Sequence, residues 1–254
     1  MKDFACRFFQ RFNPLIFDVI TKLFRLINFF RIAPRALVFT DSRGFEVLRP
    51  WNRRNPFSSY VSFLMAKYAC DVYLCPKRHT SLLDFLDVYE SASNDYDVVV
   101  LHCGIVDFAP RPEHSFDEMY FAKVALLEKY GIAQYFNKRM RHPGCEYEGE
   151  PTYSFMSEEF VEEFIIPKLV GIKNLIYIGI NPVLSEWRGN YWRERPSNIN
   201  SQLKQDEKIL SAIEKVINLS DKSDDWVKLN TVDNIHLSRE GFNYIVKELS
   251  SLGV

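Results

Sequence analysis

Ser42 ends the short apolar run Leu37-Val38-Phe39-Thr40 and stands between Asp41 and Arg43, with Gly44 following. A β-branched and aromatic run closed by small, polar and glycine residues predicts a buried strand and a tight turn. Open α/β sheets hold their ligands at such carboxyl ends of strands. Read alone, Asp41-Ser42 also fits an ordinary helix N-cap. A serine hydroxyl is too weak an acid to attack unaided; it needs an imidazole to take its proton and a carboxylate to hold the imidazole. Asp233 and His236, spaced Asp-x-x-His, supply those types, because a loop of that length sets the carboxylate against one ring nitrogen and leaves the other outward. The alternative for His236 is a capping or core histidine ahead of Ser238. Asp107 follows a third strand end and either joins the chemistry or fixes neighbouring loops by accepting backbone hydrogen bonds.

These positions need a scaffold that brings strand ends to one rim. Asp97 to Cys103 is almost wholly apolar, as parallel strands covered on both faces are. Strands are also expected at Asp71 to Cys75, Asn174 to Ile180 and, shorter, Trp226 to Val232. Helical patterns lie between them: Ser58 to Ala69, Leu82 to Tyr89, Glu158 to Leu169, Asn200 to Ile217 with Val216 and Ile217 in its stripe, and a last helix through Phe242, Ile245 and Leu249. Such alternation predicts right-handed crossovers and a doubly wound parallel sheet of about five strands in a flavodoxin-like three-layer α/β sandwich. Residues 36–254 read as one domain, with a helical insertion at about 108–156 punctuated by proline and glycine, and residues 1–35 as an amphipathic helical segment.

The 254 residues are 47% hydrophobic, enough for a substantial core, and the net charge of -1 gives no global reason to expect nucleic acid. Five scattered cysteines fit reduced thiols in the cytoplasm, and neither a secretion signal nor a membrane-spanning run is visible. His102, inside an apolar strand, reads as a satisfied core histidine. No cofactor is implied, and a metal site from His79, His114 and His142 is not expected. In Leu15 to Ile32, Asp18, Thr21, Lys22, Arg25 and Asn28 gather on one side of a broadly apolar helix flanked by basic residues. That helix either packs on its own domain or a second copy of the chain, or lies peripherally in the inner membrane face.

The ordered blocks resemble the SGNH hydrolases, also called the GDSL esterase family. Thr40-Asp41-Ser42 is similar to the family's Gly-Asp-Ser block, Gly104-Ile105-Val106-Asp107 to its Gly-x-Asn-Asp block, and Asp233-Asn234-Ile235-His236 to its Asp-x-x-His block. The resemblance covers residues 36 to 250 and implies Ser42 as nucleophile, His236 as base and Asp233 as its orienter. Val106 stands where the family has an asparagine that donates to the oxyanion, and the second block's glycine has no counterpart in Leu74 to Ser81. The backbone amides of Ser42 and Arg43 remain, with Arg43, Arg111, Lys77 or Arg78 as replacement donors. The candidates for oxyanion or substrate binding are Arg43, Gly44, Gly104, Asp107 and Arg111, joined by Trp187 and Trp192. The last two belong to an aromatic and arginine-rich loop, Trp187 to Arg195, suited to stacking on sugar rings and pairing with acidic groups; a solvated surface loop is the alternative. Esterase or acyl-transfer chemistry on an acylated carbohydrate in polysaccharide modification is the expectation, and a catalytically silent module binding a glycan or a protein is the alternative.

Overall fold

The computed structural model describes residues 2–92, 95–137, 140–190 and 194–254, without the side chains of residues 2–7, 10, 137 and 140. The chain opens with α1 (Lys2–Phe30), then β1 (Arg35–Thr40), α2 (Val61–Lys67), β2 (Ala69–Leu74), α3 (Leu82–Ser91), β3 (Val98–His102) and the single turn α4 (Ile105–Phe108). Next come β4 (Arg111–Pro112), α5 (Glu113–Tyr130), α6 (Ala133–Asn137), β5 (Met140–Tyr147) and β6 (Glu150–Ser154). A segment with a π-helical turn at its centre follows, α7 (Glu158–Phe160) and α8 (Ile166–Val170). Then come β7 (Leu175–Ile178), α9 (Gln202–Ala212), β8 (Lys215–Ile217), α10 (Asp224–Asn230) and α11 (Arg239–Ser251).

Five strands form one parallel sheet in the order β2-β1-β3-β7-β8. The chain winds outward from β1 in both directions, so the strand order reverses between β1 and β3. Leu37, Phe39, Val99 and Leu101 point into one apolar layer with α3, α5 and α9; Val38, Val100, Ile176 and Ile178 point into the other with α2 and α11. Alternate strand residues thus feed two cores, which is why these strands are apolar without interruption. The sheet is the α/β sandwich that the alternating pattern implies.

Two expectations are corrected. The fifth strand is not Trp226 to Val232: that stretch is largely α10, started by Ser223, whose hydroxyl accepts from Trp226 N at 3.3 Å, with Asp224 and Asp225 in the first turn. The strand is Lys215–Ile217, and α9 stops at Ala212, where Ile213 turns extended (φ -95°, ψ 133°). Val216 and Ile217, assigned to the helical stripe, instead pair with Tyr177 and Ile178, and as β-branched residues they favour that geometry. The insertion is also not wholly helical. It carries an antiparallel sheet, β4-β6-β5, whose hairpin turns at Glu148 (φ 56°) and Gly149 (φ 79°). Two successive positive φ values between paired Tyr147 and Glu150 fit a two-residue primed turn, which matches strand twist.

Candidate active site

β1 ends at Thr40, and Asp41 N donates to His102 O at 2.8 Å, so the turn carrying Ser42 is tied to the end of β3 at the point of strand reversal. Asp41 caps the short helical turn 42–44: its Oδ1 accepts from Arg43 N at 2.9 Å, and its carbonyl accepts from Gly44 N at 3.2 Å. Ser42 Oγ is thereby aimed outward, 2.9 Å from His236 Nε2. His236 Nδ1 lies 2.7 Å from Asp233 Oδ2. Asp233 Oδ1 accepts the backbone N–H groups of His236 at 2.8 Å and Ile235 at 3.2 Å. With Nδ1–H donating to Asp233, Nε2 is left to accept the serine proton, the arrangement that general-base activation requires. Burial by itself would raise the Asp233 carboxyl, but the hydrogen bond and charge of His236, together with those amides, hold it below its ordinary value.

A second tier of contacts fixes the Asp233–His236 loop. Asn234 adopts φ 76°, a left-handed conformation that asparagine tolerates. Its Nδ2 donates to Leu184 O at 2.8 Å and Trp187 O at 2.5 Å, and its Oδ1 accepts from Leu184 N at 2.9 Å. Arg195 Nη2 donates to Asp233 O at 2.9 Å. The loop after β7 therefore clamps the loop before α11 through backbone carbonyls, which no residue pattern in the sequence signals.

Ser42 and His236 open into a cleft of about 1190 Å³. Its wall is charged and polar, with Arg78, His79, Arg111, Glu118, Glu146 and Arg195 among its lining, and Val106 lies in it where a side-chain donor would be expected. Arg111 Nε donates to Val106 O at 3.1 Å, which anchors the guanidinium beside that position. Arg78 pairs with Glu118 at 2.7 Å. His79 was visible in the sequence only as a loop histidine. Burial and the nearby Arg111 and Arg78 charges lower its imidazole, which favours the neutral form at the cleft wall.

Several candidates lie elsewhere. The Arg43 side chain turns inward, 1% exposed, with Nη2 2.9 Å from Asp41 Oδ2 and Nη1 2.9 Å from Gly179 O. Burial opposes its charge, but Asp41 outweighs burial and keeps it protonated. Since the Arg43 amide is also taken by Asp41, Arg43 supplies no donor to the cleft. Gly44 serves packing: a Cβ there would come within 2.1 Å of Thr40 Oγ1. Gly104 starts α4 at φ 131°, where a Cβ would meet Phe108 and Tyr177, and it is not in the lining that its neighbours Ile105 and Val106 join. Asp107 is fully buried and accepts from Leu82 N at 3.0 Å, holding the start of α3 to α4; burial pushes its carboxyl well up. Trp187 borders a smaller cavity of about 240 Å³ that shares Glu194, Arg195 and Ile199 with the main cleft. Trp192, with Tyr191 and Arg193, lies outside the described residues. Lys77 is not in the lining, whereas Arg78 and Arg111 are. The Ser42 N–H is the one amide of the turn that no protein acceptor takes among the described residues.

The deeper layer is a polar network. Asp206 accepts from Tyr177 Oη at 2.6 Å and Ile180 N at 2.9 Å; burial pushes its carboxyl up to about 6 against those bonds. His102 Nδ1 lies 2.9 Å from Tyr60 Oη, and burial lowers its imidazole strongly, so it is the core histidine its apolar strand implies.

No family model and no curated protein sequence matches the chain. Among solved structures it is similar to a lipase/acylhydrolase from Enterococcus faecalis, at 14% identity and a TM-score of 0.50, over 85% of this chain and 93% of that one. It is also similar, at 12% identity and a TM-score of 0.42, to phospholipase A1 from Streptomyces albidoflavus NA297, over 86% of this chain and 99% of that one. The likeness to the acylhydrolase is one of fold, extending over nearly the whole of both chains. The chain therefore has the α/β fold of that acylhydrolase, and its Asp41-Ser42 and Asp233-x-x-His236 blocks resemble those of the SGNH hydrolases.

Proposed function

We propose that the protein is a serine esterase or acyl-transfer enzyme that acts on an acylated carbohydrate. The observation that carries this is the chain of contacts from Ser42 Oγ to His236 Nε2 at 2.9 Å and from His236 Nδ1 to Asp233 Oδ2 at 2.7 Å, facing an open cleft. Ser42 attacks the acyl carbonyl as its proton passes to His236, and Asp233 stabilises the imidazolium. The ester C–O bond then breaks, with the sugar oxygen taking that proton, and an acyl group remains on Ser42. Water or another sugar hydroxyl, deprotonated by His236, releases it. The oxyanion takes the Ser42 N–H, and Arg111, anchored beside Val106, supplies positive charge in place of an asparagine donor. A cleft walled by Arg78, His79, Arg111, Glu118, Glu146 and Arg195 suits a hydroxylated and charged substrate better than a bare hydrocarbon chain.

The test is labelling by a serine-directed fluorophosphonate, with release of acetate from peracetylated sugars measured alongside hydrolysis of a long-chain fatty ester. Labelling lost in Ser42→Ala and a preference for acetylated sugars are expected. Val106 in the cleft wall favours one second reading, a silent module that binds a glycan; absent labelling in the native chain, with glycan binding retained, would establish it.

A further inference from the structure

Helix α1 turns its polar side toward the protein and its apolar side away from it. Asn13, Thr21 and Asn28 are 4%, 8% and 5% exposed. Asn13 Nδ2 donates to Trp51 O at 2.8 Å and Arg53 O at 3.1 Å, and Asn28 Nδ2 donates to Met65 O at 2.6 Å and Tyr68 O at 2.8 Å. Arg25 Nη1 pairs with Asp71 Oδ1 of β2 at 2.9 Å. These bonds set the rotation of the helix, since turning it about its axis would strand every one of them. Outward, along one face, lie Phe12 at 42%, Leu15 at 65%, Val19 at 66%, Leu23 at 54%, Leu26 at 51% and Phe30 at 76% exposure. On the flank of the helix the Phe24 and Phe57 rings meet at 5.3 Å. A continuous apolar ridge of this length marks an interaction site.

Charge identifies its occupant. Residues 1 to 60 hold eleven Lys and Arg against four Asp and Glu, a net of +7, while the whole chain is at -1, leaving the remainder at -8. Of the acids near the ridge, Asp18 is held by Lys22 at 2.7 Å and Asp71 by Arg25. A second copy meeting this one through the same face would set one cationic surface against another. Among the described residues no helix is long and apolar enough to cross a membrane. We propose that α1 is an interfacial anchor that seats the protein on an anionic bilayer, with the ridge among the acyl chains and Arg11, Lys22, Arg31 and Arg53 at the headgroups. Because Asn13 is bonded to the 50–53 loop and Pro14 to Thr21 border the loop after β2, the amino-terminal half of the anchor lies at the end of the sheet that carries Ser42. The inference stands independently of the esterase chemistry.

The full chain should cosediment with phosphatidylcholine vesicles that contain about a third phosphatidylglycerol, weakly with phosphatidylcholine alone, and less as salt rises. Val19→Glu with Leu23→Glu, both on the outward face, should weaken binding by about tenfold or more. Its unfolding midpoint should stay unchanged, which separates lost anchoring from lost folding. Four results would overturn the proposal: no vesicle binding, binding indifferent to these substitutions, a dimer in sedimentation that the same substitutions dissociate, or capture of single-stranded DNA in preference to vesicles.

Discussion

Arg43 and Asp41, two residues apart, close a fully buried ion pair on the inner side of the Ser42 turn, with Nη2 2.9 Å from Oδ2. The same carboxylate accepts the Arg43 amide, and the guanidinium reaches across the sheet to Gly179 O, so one side-chain pair fixes both the turn and its distance from β7. Breaking one partner of such a pair leaves an uncompensated charge in the interior. Arg43→Met should cost about 3–5 kcal/mol in chemical denaturation.

A Cβ added at Gly44 would run into the Thr40 side chain, which ties the residue at position 40 to a glycine four residues later. Gly44→Ala should destabilise by about 1–3 kcal/mol through overpacking. Because the clash is with the Thr40 side chain itself, Thr40→Gly in the same chain should recover part of that loss. A double-mutant cycle reads the coupling; additive effects would show that the clash is relieved elsewhere.

For the proposed chemistry, Ser42→Ala and His236→Ala should each lower ester hydrolysis by on the order of a thousandfold or more, and the double substitution should lose no more than either alone. Steady-state kinetics on a soluble acetyl ester checks this. Independent, multiplying losses would mean that the two side chains do not act as a unit.

Asp233 gives a pH signature. Its carboxyl is held below its ordinary 3.8, so its contribution to folding is present above the unfolded value and is lost as pH falls through the lower folded value. Asp233→Asn should therefore be less stable than the native chain near about pH 6, and the gap should close as pH drops below the ordinary carboxylate range. Thermal unfolding across an acid series measures it.

Asn234→Gly keeps the left-handed backbone accessible but removes the contacts to Leu184 and Trp187. We expect a stability loss of about 1–3 kcal/mol and a lower kcat with esters, because His236 is then held by a looser loop. Asn234→Asp, which keeps the acceptor and loses the donors, should fall between the two.

Legibility in the sequence followed how local each signal was. β3 and β7 are continuous apolar runs, and the layered architecture follows from them. Lys215–Ile217 is three residues long, too short to show a period, and it borrowed the phase of the helix before it. The β5–β6 hairpin was hidden because its exposed residues are polar on both sides of the turn. Asp233 and His236 are three apart, so their pairing could be read directly, whereas their approach to Ser42 depends on the whole sheet. Arg43 looked like a donor because an arginine beside a serine carries no sign of which way it points; Asp41 draws it inward. Asn234 gave no sign, and His79 and Arg195, read as a loop histidine and as part of a substrate-facing loop, gave no sign of the tertiary neighbours and backbone carbonyls through which they act.

The docking of α1 beside β2 has one more consequence. β2 is the outermost strand at its end of the parallel sheet, and α1 is the element that runs along it, locked by Arg25 and Asp71. An uncovered outer strand is a template for pairing with another chain. The helix thus doubles as a guard against edge-to-edge aggregation. A chain shortened to remove its greasy surface would trade that surface for an open strand.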